Sequence, residues 1–210
     1  NNSFQNSISI KGRNSSNSID KFFLNFSLGF NLNDLSVGDN ENISGVYKYL
    51  GEFYGYSAQQ AFLAYQSYLL DYDQDSNTFF SIAKYNNGVD QNYKMESNGV
   101  NTKYNFNVAL QLKKDFYFGL NINTHNVFID NYVKYTENNF DSDSAIKSIN
   151  FENSLLTKGE GFSIQLGAIA KIKSIRLGLA YQSPTWYTMQ DETYQFLEVC
   201  LLYTSDAADE

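Results

Sequence analysis

Residues 161–187, GFSIQLGAIAKIKSIRLGLAYQSPTWY, restrict the fold more than any other stretch. Phe162, Ile164, Leu166, Ala168, Ala170 and Ile172 are apolar at every second position. Ser163, Gln165, Gly167 and Lys171 lie between them, with Ile169 breaking the pattern. After Lys173-Ser174, Ile175, Leu177, Leu179 and Tyr181 alternate with Arg176, Gly178, Ala180 and Gln182. A period of two gives each strand one apolar face and one polar or small face. Each run holds about 11 residues, against roughly 5–6 in an ordinary soluble strand. A strand tilted near 45° needs about 9–11 residues to cross the hydrocarbon core of a bilayer. The pair therefore predicts a hairpin of a transmembrane antiparallel β-barrel, apolar face to lipid and polar face to the lumen.

Composition agrees with that reading. No run of about 18 apolar residues exists, so no transmembrane helix is expected. A hydrophobic fraction of 42% and a mean hydropathy of −0.42 are compatible with a barrel, because half of every barrel strand faces water. The chain has 17 tyrosines, 17 phenylalanines and a single proline, which suits long uninterrupted strands with aromatic girdles.

Along the chain, residues 4–11 read as a short strand with Ile8 and Ile10 on one side, and RNSSNS at 13–18 as a turn. Residues 19–33 alternate most clearly of all, Leu24, Phe26, Leu28, Phe30 and Leu32 against Asn25, Ser27, Gly29, Asn31 and Asn33, and are expected to be a strand. Residues 34–98 lack such alternation and are expected to be a long external loop. It carries an amphipathic helix at 58–70, started by a capping box of Ser57 and Gln60. Ala58, Ala61, Phe62, Tyr65 and Leu69 would share one helical face, and 78–85 would form a short strand or a strand extension. Residues 100–126 alternate again, broken by a turn at 113–115, and the strand is expected to run on toward Tyr135. Residues 137–159, polar and acidic, read as a loop. The expectation is an all-β chain: a partial barrel of about six long strands over residues 1–199, short and long connections alternating, with an external loop subdomain at 34–98.

The chemistry-bearing residues are sparse. The lone histidine, His125, sits on the polar face of a strand and reads as a solvated lumen or rim residue. Without a second histidine, neither a zinc site nor a nucleophile–base pair is expected. Asp71, Asp73 and Asp75 match the opening of a calcium loop, but Ser76 stands where the turn glycine belongs and Ile82 where a bidentate Glu is needed. They read as a solvated acidic turn. No enzyme activity, metal or cofactor is expected. The face Phe62, Tyr65 and Leu69 is a candidate contact for a hydrophobic ligand, with simple packing as the alternative. Tyr181, Trp186 and Tyr187 read as interfacial aromatics.

The stretch GFSIQLGAIAKIKSIRLGLAYQSPTWYTMQDETY resembles the repeated barrel hairpin of outer-membrane transport proteins of the FadL/TodX type. Its Leu-Gly-Ala-Ile strand at 166–169, Leu-Gly-Leu strand at 177–179 and small-Pro-Thr-aromatic-Tyr step at 183–187 carry the likeness, as does AYQSYLLD at 64–71. The resemblance implies a fourteen-stranded barrel in the bacterial outer membrane with an N-terminal plug. It also implies passive uptake of hydrophobic molecules such as long-chain fatty acids or hydrocarbons. Its partners would be outer-membrane lipid and a hydrophobic small molecule. The plug motif is not found here. A structural or secretion-associated outer-membrane barrel and a soluble carbohydrate-binding β-sandwich remain as alternatives.

Residues 200–210, CLLYTSDAADE, resemble the translation of a transposase adaptor used in sequencing libraries. They are expected to be non-native, to pack against nothing and to continue no strand pairing. Without Asp206, Asp209 and Glu210 the chain holds 20 acids against 15 bases, net −5 in place of −8. Neither balance offers the basic footprint of a nucleic-acid binder.

Overall fold

The computed structural model describes residues 2–202, of which 59% are in strands and 17% in helices. The strands are β1 (Asn2–Asn14), β2 (Leu70–Asp73), β3 (Thr78–Ser81), β4 (Val89–Leu112), β5 (Phe116–Asn138), β6 (Ile146–Ile172), β7 (Ile175–Gln182) and β8 (Trp186–Leu201). One antiparallel sheet has the order β1-β4-β5-β6-β7, with β8 also paired to β6, and β2 and β3 form a separate two-stranded sheet. Three helices, α1 (Ile19–Ser27), α2 (Ile43–Phe53) and α3 (Tyr56–Gln66), and a 3-10 turn (Leu32–Leu35) lie between β1 and β2. The chain divides into two compact units. Among the described residues, the first holds Met95–Tyr132 and Ser154–Tyr194 together with 2–7, and the second holds Ile8–Lys94, Val133–Asn153 and 195–202.

The first unit is built from paired strands. The expected turns at 113–115 and 173–174 are where β4 meets β5 and β6 meets β7. Each starts on a lysine in the left-handed region, Lys113 at φ 55° and Lys173 at φ 56°. In the β6–β7 pair Leu166 faces Tyr181, Ala168 faces Leu179, Ala170 faces Leu177 and Ile172 faces Ile175. Directly opposed residues share a face, so the alternation read from the sequence survives as one apolar face. Where β7 ends, β8 takes over the pairing with β6. The Ser183 amide donates to the Ile164 carbonyl at 2.9 Å, and the Ser183 hydroxyl accepts from the Ile164 amide at 2.9 Å. The hydroxyl thereby replaces a ladder acceptor beside Pro184, which has no amide to give. Beyond the break, a methyl at Gly161 would fall 2.5 Å from the Tyr187 ring, which explains a glycine inside a strand.

The second unit contains the hydrophobic core: Phe23, Leu35, Leu50, Ala58, Ala61, Phe62, Leu69, Ile146 and Ile149 are buried together. Residues 19–33, expected as a strand, are instead α1 and the 3-10 turn. Ser18 caps α1 and Asp20 occupies its first turn, placing a short oxygen acceptor and a negative charge where free amides point. Asp20, Phe23 and Ser27 are buried at helical spacing, whereas Leu28, one of the alternating leucines, is 73% exposed. Gly29 at φ 91° follows the helix end, and Asn31 with Asp34 forms a capping box on the next turn.

Other expectations need correction. With α1 in place of a second strand, β1 pairs directly with β4, and the strict alternation of short and long connections over six strands is lost. The helix expected at 58–70 is α3, Tyr56–Gln66, with Gly55 at φ 82° as N-cap and no side-chain cap from Ser57. Leu70 already belongs to β2. The loop expected at 137–159 shrinks to 139–145: β5 runs to Asn138 and β6 starts at Ile146. The polar character of the rest is accommodated by cross-strand partners, Lys134 with Glu152 at 2.7 Å and Lys158 with Glu192 at 3.2 Å. Strand β8 continues through Cys200 to Leu201, Leu201 packs against the core, and the Leu202 amide donates to the Ala145 carbonyl at 2.8 Å. The expectation of an unpaired tail therefore fails for residues 200–202; 203–210 lie outside the described residues.

Candidate functional site

In the first unit the sheet has two chemically opposite faces. On one, Phe106, Val108, Leu110, Phe118, Leu120, Leu166, Leu177 and Leu179 are exposed, Leu179 to 76%. Contiguous exposed apolar surface of this kind marks protein or membrane contact surfaces. It is longest on β6, running from Phe162 to Ile172, 11 residues. At about 3.3 Å per residue and a 45° tilt that spans roughly 25 Å, the height of the apolar band of an outer-membrane barrel. Tyr104, Phe162 and Trp186 stand exposed where it ends.

The opposite face carries a ladder of polar side chains. Lys171 Nζ donates to the Tyr117 hydroxyl at 2.9 Å and stands 4.7 Å over its ring. Asn121 Nδ2 donates to Gln165 Oε1 at 2.6 Å, Gln165 Nε2 to Gln182 Oε1 at 3.0 Å, and Asn123 Nδ2 to Ser163 Oγ at 3.3 Å. His125 is on the same face, half-buried, with its ring 5.8 Å from that of Tyr187. Amides and hydroxyls dominate this wall, and Lys171 sits opposite Arg176 at its turn end. Such a surface suits water or a polar lining.

In the second unit the three side chains singled out as ligand contacts divide. Phe62 and Leu69 are enclosed in the core, at 1% and 0% exposure. Tyr65 is half-buried, its ring edge-on to Phe79 at 5.5 Å, and it borders a shallow groove with Gln66, Tyr68, Leu70 and Ile82. Burial, followed by the charge of Asp71, raises the phenol pKa of Tyr65 above its ordinary value. Asp71 and Asp73 lie on β2 and Asp75 in the β2–β3 turn. Among the described residues no group of three or more potential metal ligands is assembled. Hydrogen bonds from Ser76 and the Asp75 amide hold Asp73 below the usual carboxylate range.

Sequence reading missed the buried carboxylate of Glu137. It has no exposure, and accepts from the Ser18 hydroxyl at 2.5 Å, the Ile19 amide at 3.0 Å, Gln91 Nε2 at 2.8 Å and the Tyr135 hydroxyl at 2.7 Å. A carboxylate at the start of α1 meets the positive end of its dipole. Burial, then the hydrogen bond and charge of Glu137, drives the Tyr135 phenol far above its ordinary pKa. Tyr85 is displaced the same way by burial and by Asp20. Beside this cluster an open cavity of about 420 Å³ is lined by Ile19, Phe22, Tyr93, Val133, Tyr135 and Phe151. No local motif marks Glu137, whose partners are up to 119 positions away. The chain matches no protein-family model and no curated protein.

Proposed function

We infer that this chain forms part of the wall of a bacterial outer-membrane β-barrel that passes hydrophobic molecules, such as long-chain fatty acids or hydrocarbons, without an energy source. The observation that carries the reading is the two-faced sheet: an exposed apolar band of membrane height backed by a hydrogen-bonded polar wall. In a soluble sandwich the apolar face would be covered by a second sheet; among the described residues it is exposed. The resemblance of residues 161–194 to FadL/TodX-type hairpins supplies the substrate class. In this reading the apolar face meets outer-membrane lipid, the polar face borders the lumen, and the helical subdomain receives the solute. Tyr65, half-buried beside an open groove, is the candidate contact that solute can reach, while Phe62 and Leu69 shape its support from within.

The test is uptake. Deleting the encoding gene should slow entry of a labelled long-chain fatty acid or alkane into cells and leave a small polar solute unaffected, with recovery on complementation. Unchanged entry of both apolar probes, with the protein present in the outer-membrane fraction, would reject transport in favour of a structural barrel. Recovery of the protein in the soluble fraction would reject the membrane reading altogether.

A further inference from the structure

The turn end of the sheet carries a concentration of positive charge that transport of an apolar solute does not use. Lys113 and Lys114 stand in the β4–β5 turn, Lys173 in the β6–β7 turn, and Lys171 faces Arg176 directly across the adjoining strands. Asp115 is the single acid among the residues of the two turns. Lys113, Lys114, Lys173 and Arg176 are exposed, and among the described residues none of them has a carboxylate within ion-pair distance. Like charges directly opposite one another destabilise a strand pair; Lys171 is engaged by Tyr117 on the neighbouring strand, whereas Arg176 has no carboxylate facing it among the described residues.

The apolar face reaches these turns. Leu112 and Phe116 flank the first turn and Ile172 and Ile175 the second, all exposed. At the other end of the band the aromatics Tyr104, Phe162 and Trp186 are followed on the same face of β6 by Glu160 and Lys158, the latter already paired with Glu192. The band thus has one unpaired basic rim and one neutral-to-mixed rim. With hydrocarbon beginning one residue from the turns, flexible lysine stems place their ammonium groups at the depth of lipid phosphates.

We propose that the Lys113, Lys114 and Lys173 rim is a contact surface for the phosphate headgroups of anionic phospholipid, fixing which end of the sheet faces the phospholipid leaflet. This rests on the membrane reading above. Each lysine near an anionic surface contributes on the order of fivefold in partitioning, weakening as salt screens it. Lys171 and Arg176 add to the local positive potential from the polar face.

The experiment uses the whole chain, diluted from denaturant into vesicles of phosphatidylcholine alone or with a third of phosphatidylglycerol. Trp186, the single tryptophan, reports insertion by its blue shift. The native sequence should partition at least about tenfold better into the anionic vesicles at low salt. The triple variant Lys113→Gln, Lys114→Gln, Lys173→Gln should lose that preference and still enter phosphatidylcholine as the native chain does. The control Lys48→Gln, Lys84→Gln, Lys147→Gln removes the same charge elsewhere and should keep it. Equal entry of the native chain into both vesicles, retention of the preference by the turn variant, or equal loss in the control would each overturn the proposal. Failure to enter either vesicle would overturn the membrane reading itself, and the proposal with it.

Discussion

The Ser18 hydroxyl donates to a Glu137 carboxylate oxygen at 2.5 Å, joining the first residue of a helix cap to the end of a strand 119 positions away. The same carboxylate takes the Ile19 amide, so one acid holds two donors at the start of α1. Glu137→Ala removes the acceptor of four donors, the buried Ser18 hydroxyl and three half-buried groups, and should cost about 3 kcal/mol; Glu137→Gln, which turns an acceptor into a donor facing donors, should cost about 1–3 kcal/mol. Hydrogen-exchange protection of the α1 amides is the direct readout, and an unchanged rate in Glu137→Ala would refute the assignment. Tyr135 stays neutral here while an unfolded phenol titrates near pH 10. Its contribution is therefore complete below about pH 10 and is lost as pH rises beyond it. In Tyr135→Phe that alkaline loss should shrink.

Asp141 makes a second clasp with the opposite pH sign. Its oxygens accept from the amides of Asn86 at 2.7 Å and Asn87 at 3.1 Å, and from both side-chain amides at 3.1 Å. These bonds, led by the Asn87 amide, hold its carboxyl below the ordinary range. A depressed carboxyl stabilises fully above its unfolded pKa of about 3.9 and loses the contribution as pH falls through the folded value. The Asn86 and Asn87 amides should stay protected at neutral pH and open on acidification below about pH 4. Asp141→Asn should remove that acid step. An identical acid profile in the variant would show that another group controls the loop.

What could be read from the sequence follows from which forces leave a local trace. The turns at Lys113 and Lys173 and the alternation of β4 to β7 in the first unit were legible, because one face of each strand is apolar and the other polar. The segment FFLNFSLGF at 22–30 satisfies period two and the helical period at once. Burial of Phe23 against Phe151, whose rings meet edge-on at 5.5 Å, settles it as helix. The start of β6 was illegible for another reason: Glu152, Lys158 and Thr157 are matched across strands by Lys134, Glu192 and Asp191, and cross-strand pairs leave no period. Of the ligand-contact trio, spacing correctly grouped Phe62 with Ala58 and Ala61 in one buried face, but it could not say which members of a face remain reachable.

Phe62 on α3 and Leu69 just beyond it give a paired prediction. Phe62→Ala and Leu69→Ala should cost about 3–5 and 2–5 kcal/mol, because both open cavities in a closed core. Phe62→Asp with Leu69→Asp would bury two charges without partners, at several kcal/mol each. The helices should then become protease-sensitive, and apolar-ligand binding should disappear along with the fold. Tyr65→Ser separates the two effects, since Tyr65 is half-buried and borders a groove. A folded Tyr65→Ser variant with weakened binding of a fluorescent fatty acid is the expected outcome. Undiminished binding would remove Tyr65 from the solute path.

The two faces of the β6–β7 pair supply the sharpest test, because residues on opposite faces should respond to very different degrees. Leu166 and Leu179 lie on the apolar face, 50% and 76% exposed. If that face meets lipid, Leu166→Arg and Leu179→Arg each place a guanidinium in hydrocarbon, at about 2–4 kcal/mol near the midplane. Gln165 is one position away on the polar face, bonded to Asn121 and Gln182. Gln165→Arg gives up two neutral side-chain hydrogen bonds, about 1 kcal/mol each, but keeps its charge beside polar groups. Folding into lipid, followed as heat-modifiable gel mobility, should therefore fall steeply for the two leucine variants and modestly for Gln165→Arg. In a water-exposed sheet the order would reverse, since arginine at an exposed leucine costs little there, whereas breaking the amide ladder still removes both bonds. Observing that reversed order would exclude the apolar face from the membrane.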